Sequence, residues 1–156
     1  MKKGFEDCFT EIQKDMISIC LEYANDKADA VYVYASYEDG VISSDFFYKI
    51  NSQLWARHLL NEINSDEYDV SIPRQNSCLR ILNADIKKLS EVCKEYDQPM
   101  PTEIKLIYDV NSHKVDARYR YDNVYTQSKT KTADDVADEW FEEEKKKLEQ
   151  AGNHNG

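Results

Sequence analysis

The stretch from Pro99 to Asp122 constrains this chain most. Thr102 to Val110 is rich in β-branched and aromatic residues, and Asn111-Ser112-His113-Lys114 supplies a short polar turn. The return strand alternates strictly. Val115, Ala117, Tyr119 and Tyr121 fall on one face, and Asp116, Arg118, Arg120 and Asp122 on the other, because strand side chains repeat every two residues. The segment therefore reads as a β-hairpin with one face on a core and the other toward water or a partner. Strands joined by so short a turn are antiparallel.

The elements around it follow from periodicity. Phe5, Phe9, Ile12, Met16, Cys20 and Tyr23 recur at helical spacing, so Phe5 to Ala24 reads as a helix with one buried face, ending near Asn25-Asp26. Ala30 to Tyr37 alternates as a strand. Asp39-Gly40 tolerates positive φ and turns the chain into a second strand, Val41 to Ile50. Asn51-Ser52 marks another turn, and Gln53 to Leu60 is taken as a third strand, although Leu54, Trp55, His58 and Leu59 also fit a helical face. Asn61 to Gln75 is polar, contains Pro73 and reads as a loop, with brief extended structure at Tyr68 to Val70. A second helix runs from Leu79 to Tyr96 and is broken before Pro99 and Pro101. After the hairpin and a polar connection, Asn123 to Lys131, Thr132 is placed to cap a last helix. Asp134 and Asp135 stand in its first turn, where they complement the helix dipole.

The expected fold is thus α+β: an antiparallel sheet of about five strands with helices packed on it, in the order α-β-β-(β)-α-β-β-α. One domain over residues 1–150 is expected, with 151–156 as a disordered tail. At 156 residues, 41% of them hydrophobic, the chain can bury a core without disulfides or metal. Cys8, Cys20, Cys78 and Cys93 form no C-x-x-C pair and no zinc-binding spacing, and read as small buried hydrophobes in a reducing compartment. No signal peptide or membrane span is apparent, so a cytoplasmic protein is expected.

Chemistry is hard to find in this sequence. His58, His113 and His154 have no second ligand at metal spacing, and the four glycines form no phosphate loop. The reading is no metal, no cofactor and no catalytic residue. Aspartate and glutamate outnumber lysine and arginine by 30 to 20, which disfavours nucleic acid and anionic membrane and favours basic partners. Eleven tyrosines, many on the strands, add large apolar plates with polar tips. The densest combination of acid and aromatic runs from Tyr121 and Asp122 into the last helix. Tyr121, Asp122, Asp134, Asp135, Asp138 and Trp140 are therefore the candidate partner contacts. Trp140 and Phe141 point about 100° apart on a helix, so one packs inward while the other stays partly open.

Tyr32-Val33-Tyr34-Ala35 followed by Phe46 to Asn51, a helix ending Cys93 to Tyr96, and the hairpin Pro101 to Val110 with Arg118 to Asp122 together resemble the YezG-like family of immunity proteins. Ala137 to Glu142 is similar to some members, and Gln53 to Gln75 matches least. The resemblance implies a small cytoplasmic antitoxin that neutralises a cognate bacterial polymorphic toxin, often a nuclease, by stoichiometric binding. Two other readings stay open on the sequence: a regulatory interaction module without a toxin target, and a small hydrolase using paired carboxylates.

Overall fold

The computed structural model describes residues 4–63, 68–125 and 131–154. It is an α+β fold with a five-stranded antiparallel sheet. The elements are α1 (Phe5–Tyr23), β1 (Ala30–Glu38), β2 (Val41–Ile50), β3 (Gln53–Ala56), α2 (Ile72–Glu95), β4 (Glu103–Asp109), β5 (Lys114–Arg120) and α3 (Ala133–His154). The strand order is β3-β2-β1-β4-β5, with every neighbouring pair antiparallel. β1 is central, so both its edges are paired, and with helices against both its faces it is buried along almost its whole length.

The turns are built from residues that accept positive φ. Asp39 and Gly40 (φ 52° and 75°) join β1 to β2, and Asn51 and Ser52 (φ 55° and 66°) join β2 to β3. Two consecutive left-handed residues match the twist of the flanking strands. Asn25 and Asp26, also left-handed, end the chain direction of α1.

The period-two alternation divides the core into two layers. Val31, Val33, Ala35, Phe46, Tyr48, Ile104 and Leu106 face α1 and α2, which bury Met16, Ile17 and Cys20 and Leu82, Ile86 and Leu89 against them. Tyr32, Tyr34, Phe47 and Leu54 face the other way and meet Val136, Ala137 and Trp140 of α3. Cys20, Cys78 and Cys93 are buried, Cys8 is half-buried, and all four are free thiols.

Three readings of the sequence need correction. β3 stops at Ala56, and Arg57–Glu62 is a short 3-10 helix rather than the rest of a strand. Helix α2 begins at Ile72, seven residues before Leu79. Pro73 lies in its first turn, where no N–H is required, and Ser71 caps it by accepting from the Arg74 N–H at 3.3 Å. Proline here starts a helix rather than breaking one. Tyr68 to Val70 belongs to no strand; the Asn61 side chain holds Tyr68 by both its N–H and its C=O.

The hairpin keeps its register, with Ile104 opposite Tyr119 and Leu106 opposite Ala117. Its expected apolar face is only partly covered, because β5 is the sheet edge. Val115 remains 47% exposed and Tyr119 40%. Helix α3 runs to His154, into the segment 151–156 that the sequence reads as a tail. Asn155 and Gly156 lie outside the described residues, as do 64–67 and 126–130 within the two polar connections.

Candidate partner-binding surface

Helix α3 opens with a reciprocal cap. The Thr132 hydroxyl accepts from the Asp135 N–H at 3.3 Å, and the Asp135 carboxylate accepts from the Thr132 N–H at 2.9 Å. This arrangement satisfies two amide donors that the helix start would leave bare. Asp135 is thus engaged in holding the helix start as well as being exposed.

Burial then sorts the next two turns. Val136, Ala137 and Trp140 point into the sheet, while Asp134, Asp138, Glu139, Glu142 and Glu143 point outward. Trp140 is 2% exposed. Its ring lies 5.0 Å from Phe47, 5.8 Å from Tyr32 and 6.3 Å from Tyr34, its indole N–H donates to Glu144 at 3.2 Å, and the Lys105 ammonium sits 5.6 Å from its centroid. Trp140 therefore anchors α3 and offers no surface to a partner. Phe141 is the half-open member of the pair, resting edge-on against Phe47 at 5.0 Å.

The outward acids have a neighbour that sequence reading missed. Asp45 on β2 lies under the first turns of α3, bound to the Arg57 guanidinium and to the Phe46 N–H at 2.8 Å. Burial pushes the Asp45 carboxyl up, Arg57 and the amide oppose that, and the charges of Asp138 and Asp134 add to the rise. Asp134 and Asp138 thus stand near the Asp45–Arg57 ion pair, and Asp45, Arg57, His58, Asp138 and Phe141 line one hollow. No periodicity links Asp45 to α3. It reaches this place because Tyr34 pairs with Asp45 in the sheet and α3 crosses directly above.

Tyr121 and Asp122 are placed elsewhere. Tyr121, 57% exposed, lines a groove of about 340 Å³ with Phe5, Phe9, Pro99, Pro101 and Tyr119, on the α1 side of the sheet. The Tyr119 hydroxyl accepts from Gln13 at 2.8 Å, and its ring meets Phe9 edge-on at 6.1 Å. Asp122 is gripped by Arg120 through two hydrogen bonds, at 3.1 and 2.7 Å. Those bonds hold its carboxyl below the usual carboxylate range. The six sequence candidates therefore separate. Asp134, Asp135 and Asp138 share the α3 surface, Tyr121 and Asp122 end the hairpin, and Trp140 is core.

Among the described residues, no group of three or more His, Cys, Asp or Glu side chains could hold a metal ion, and no helix is long and apolar enough to cross a membrane. In comparison with known proteins, no family model and no curated protein matches this chain.

Proposed function

We propose that this protein is an immunity protein: a cytoplasmic antitoxin that binds and neutralises a cognate bacterial toxin domain, of nuclease type, without doing chemistry itself. The observation that carries the reading is the division of α3. Its inner face is sealed by Trp140, while its outer face presents Asp134, Asp138, Glu142 and Glu143, with Glu139 paired to Lys131, on a chain of net charge −10. A nuclease binds phosphates in a basic cleft. A rigid acidic helix accelerates capture of such a cleft by long-range attraction. Docking through Trp140 holds the helix in one place, and a preorganised helix loses little freedom on binding. The likeness of the two hairpins to YezG-like immunity proteins supports the same reading.

The test is co-expression with any nuclease-type toxin domain encoded next to its gene. Survival of the host and co-purification of a stoichiometric complex are the expected results. A toxin that kills despite co-expression, with no complex recovered, removes the proposal.

A further inference from the structure

We propose that β5 is a dimerisation edge: two copies of this chain join antiparallel, β5 to β5, about a two-fold axis at Ala117, making one continuous sheet. Three observations lead there. First, β5 ends the strand order and, among the described residues, pairs with β4 alone. Among the described residues no strand pairs with the alternate N–H and C=O groups along its outer side, which can therefore accept another strand.

Second, the strand exposes apolar surface on one face. Val115 and Tyr119, with Tyr121 just beyond, are exposed at 47%, 40% and 57%. Tyr119 is held in place from below by Gln13 and Phe9 of α1, so it is presented rather than loose.

Third, the charges on the opposite face are self-complementary. A two-fold axis normal to a sheet keeps each side chain on its own face, so a self-paired edge must be centred on a residue. Centred on Ala117, Asp116 meets Arg118 of the second copy, and Val115 meets its Tyr119. Each pairing occurs twice. Moving the centre one residue either way sets Asp116 against Asp116 or Arg118 against Arg118. Edge strands commonly avoid self-association by carrying charges that repel a copy of themselves; this order attracts one.

The surroundings agree. Across the β4–β5 ladder, Arg118 stands opposite Lys105, a like charge. Its anionic contact is Asp116 of its own strand, at 3.2 Å. A second Asp116 on the open side completes a square of two cations and two anions. Lys114 would face Arg120 of the second copy, but Arg120 already holds Asp122 at 2.7 Å, which neutralises it. The contact is one strand with its flanking tyrosines, so the dimer should be reversible and concentration-dependent.

Charge exchange tests the register. Sedimentation velocity is run on the full chain, on Asp116→Arg, on Arg118→Asp and on an equimolar mixture of the two variants. Circular dichroism checks that each variant is folded. The wild type is expected to dimerise with rising concentration. Each single variant should weaken self-association by about ten-fold or more, and the mixture should recover it, because oppositely recharged strands attract. Asp116→Arg/Arg118→Asp in one chain should dimerise like the wild type, and Asp134→Lys on α3 should leave the dimer unchanged. A wild type that stays monomeric overturns the proposal. So does a dimer indifferent to Arg118→Asp, or folded variants that fail to associate when mixed.

Discussion

Replacing Asp85 by asparagine should make this protein more stable at neutral pH and leave it unchanged in acid. Asp85 lies on the buried face of α2, 2% exposed, and its Oδ2 has no hydrogen-bond donor among the described residues. Burial raises its pKa to about 7, helped by the neighbouring Asp15 carboxyl of α1, while Lys88 at 3.7 Å opposes the rise. In the unfolded chain the same carboxyl titrates near 3.8. Between those values the folded protein keeps a proton that the unfolded chain has released, so stability falls as pH rises through the window. The gap is about 3 pH units, and at about 1.36 kcal/mol per unit it amounts to about 4 kcal/mol. This is an upper bound, because Asp15 reaches solvent. Asparagine is uncharged throughout, and its amide can donate to Asp15 as the protonated acid does. Urea unfolding of both proteins at about pH 4 and about pH 8 measures the effect. The two should agree in acid to within about 0.5 kcal/mol, and Asp85→Asn should lead by about 2–4 kcal/mol at the higher pH. Midpoints that move in parallel would refute the argument, since an ordinary carboxylate gives no differential slope here.

Reversing charge with Asp134→Lys and Asp138→Lys should slow association with the proposed toxin partner by about ten-fold at low salt and flatten its salt dependence, read by stopped-flow. Insensitivity of the rate to both would mean that α3 is the wrong surface. Trp140→Ala should cost about 3–5 kcal/mol in chemical denaturation, because it empties the contact among Tyr32, Tyr34 and Phe47. A loss below about 1 kcal/mol would show that α3 is not anchored there. Thr132→Ala should cost about 1 kcal/mol by removing the cap acceptor, and equal stability would remove that role. Gly40→Ala, at φ 75°, should cost about 1 kcal/mol through backbone strain alone, since the site has open space around it.

The fold was legible wherever one short-range rule governed the chain. The alternation in β1, β2 and β5, the turns at Asp39-Gly40 and Asn51-Ser52 and the cap at Thr132 are local chemistry, and each lies where the sequence places it. The start of α2 falls in a stretch whose polarity and Pro73 read as a loop, although a proline one or two residues after a capping serine is a start signal. The exposure of the β5 face was not legible at all. Alternation says which side chains share a face but not whether a helix covers that face, and β5 takes the edge position only through the strand order. The candidate surface was half legible. Asp134 and Asp138 are outward as a helical period requires, but nothing in their spacing brings in Asp45, which arrives through the pairing of β2 with β1 and the crossing of α3 above. The choice of Trp140 over Phe141 as the inward residue likewise needed the third dimension.

The central position of β1 carries a mechanical consequence. Both helical layers lean on the same nine-residue partition, one through Val31, Val33 and Ala35 and the other through Tyr32 and Tyr34. Neither layer can melt without exposing a side of that partition, so the two halves should come apart together. In deuterated water the amides of β1 should be the last to exchange, at a rate set by opening of the whole molecule.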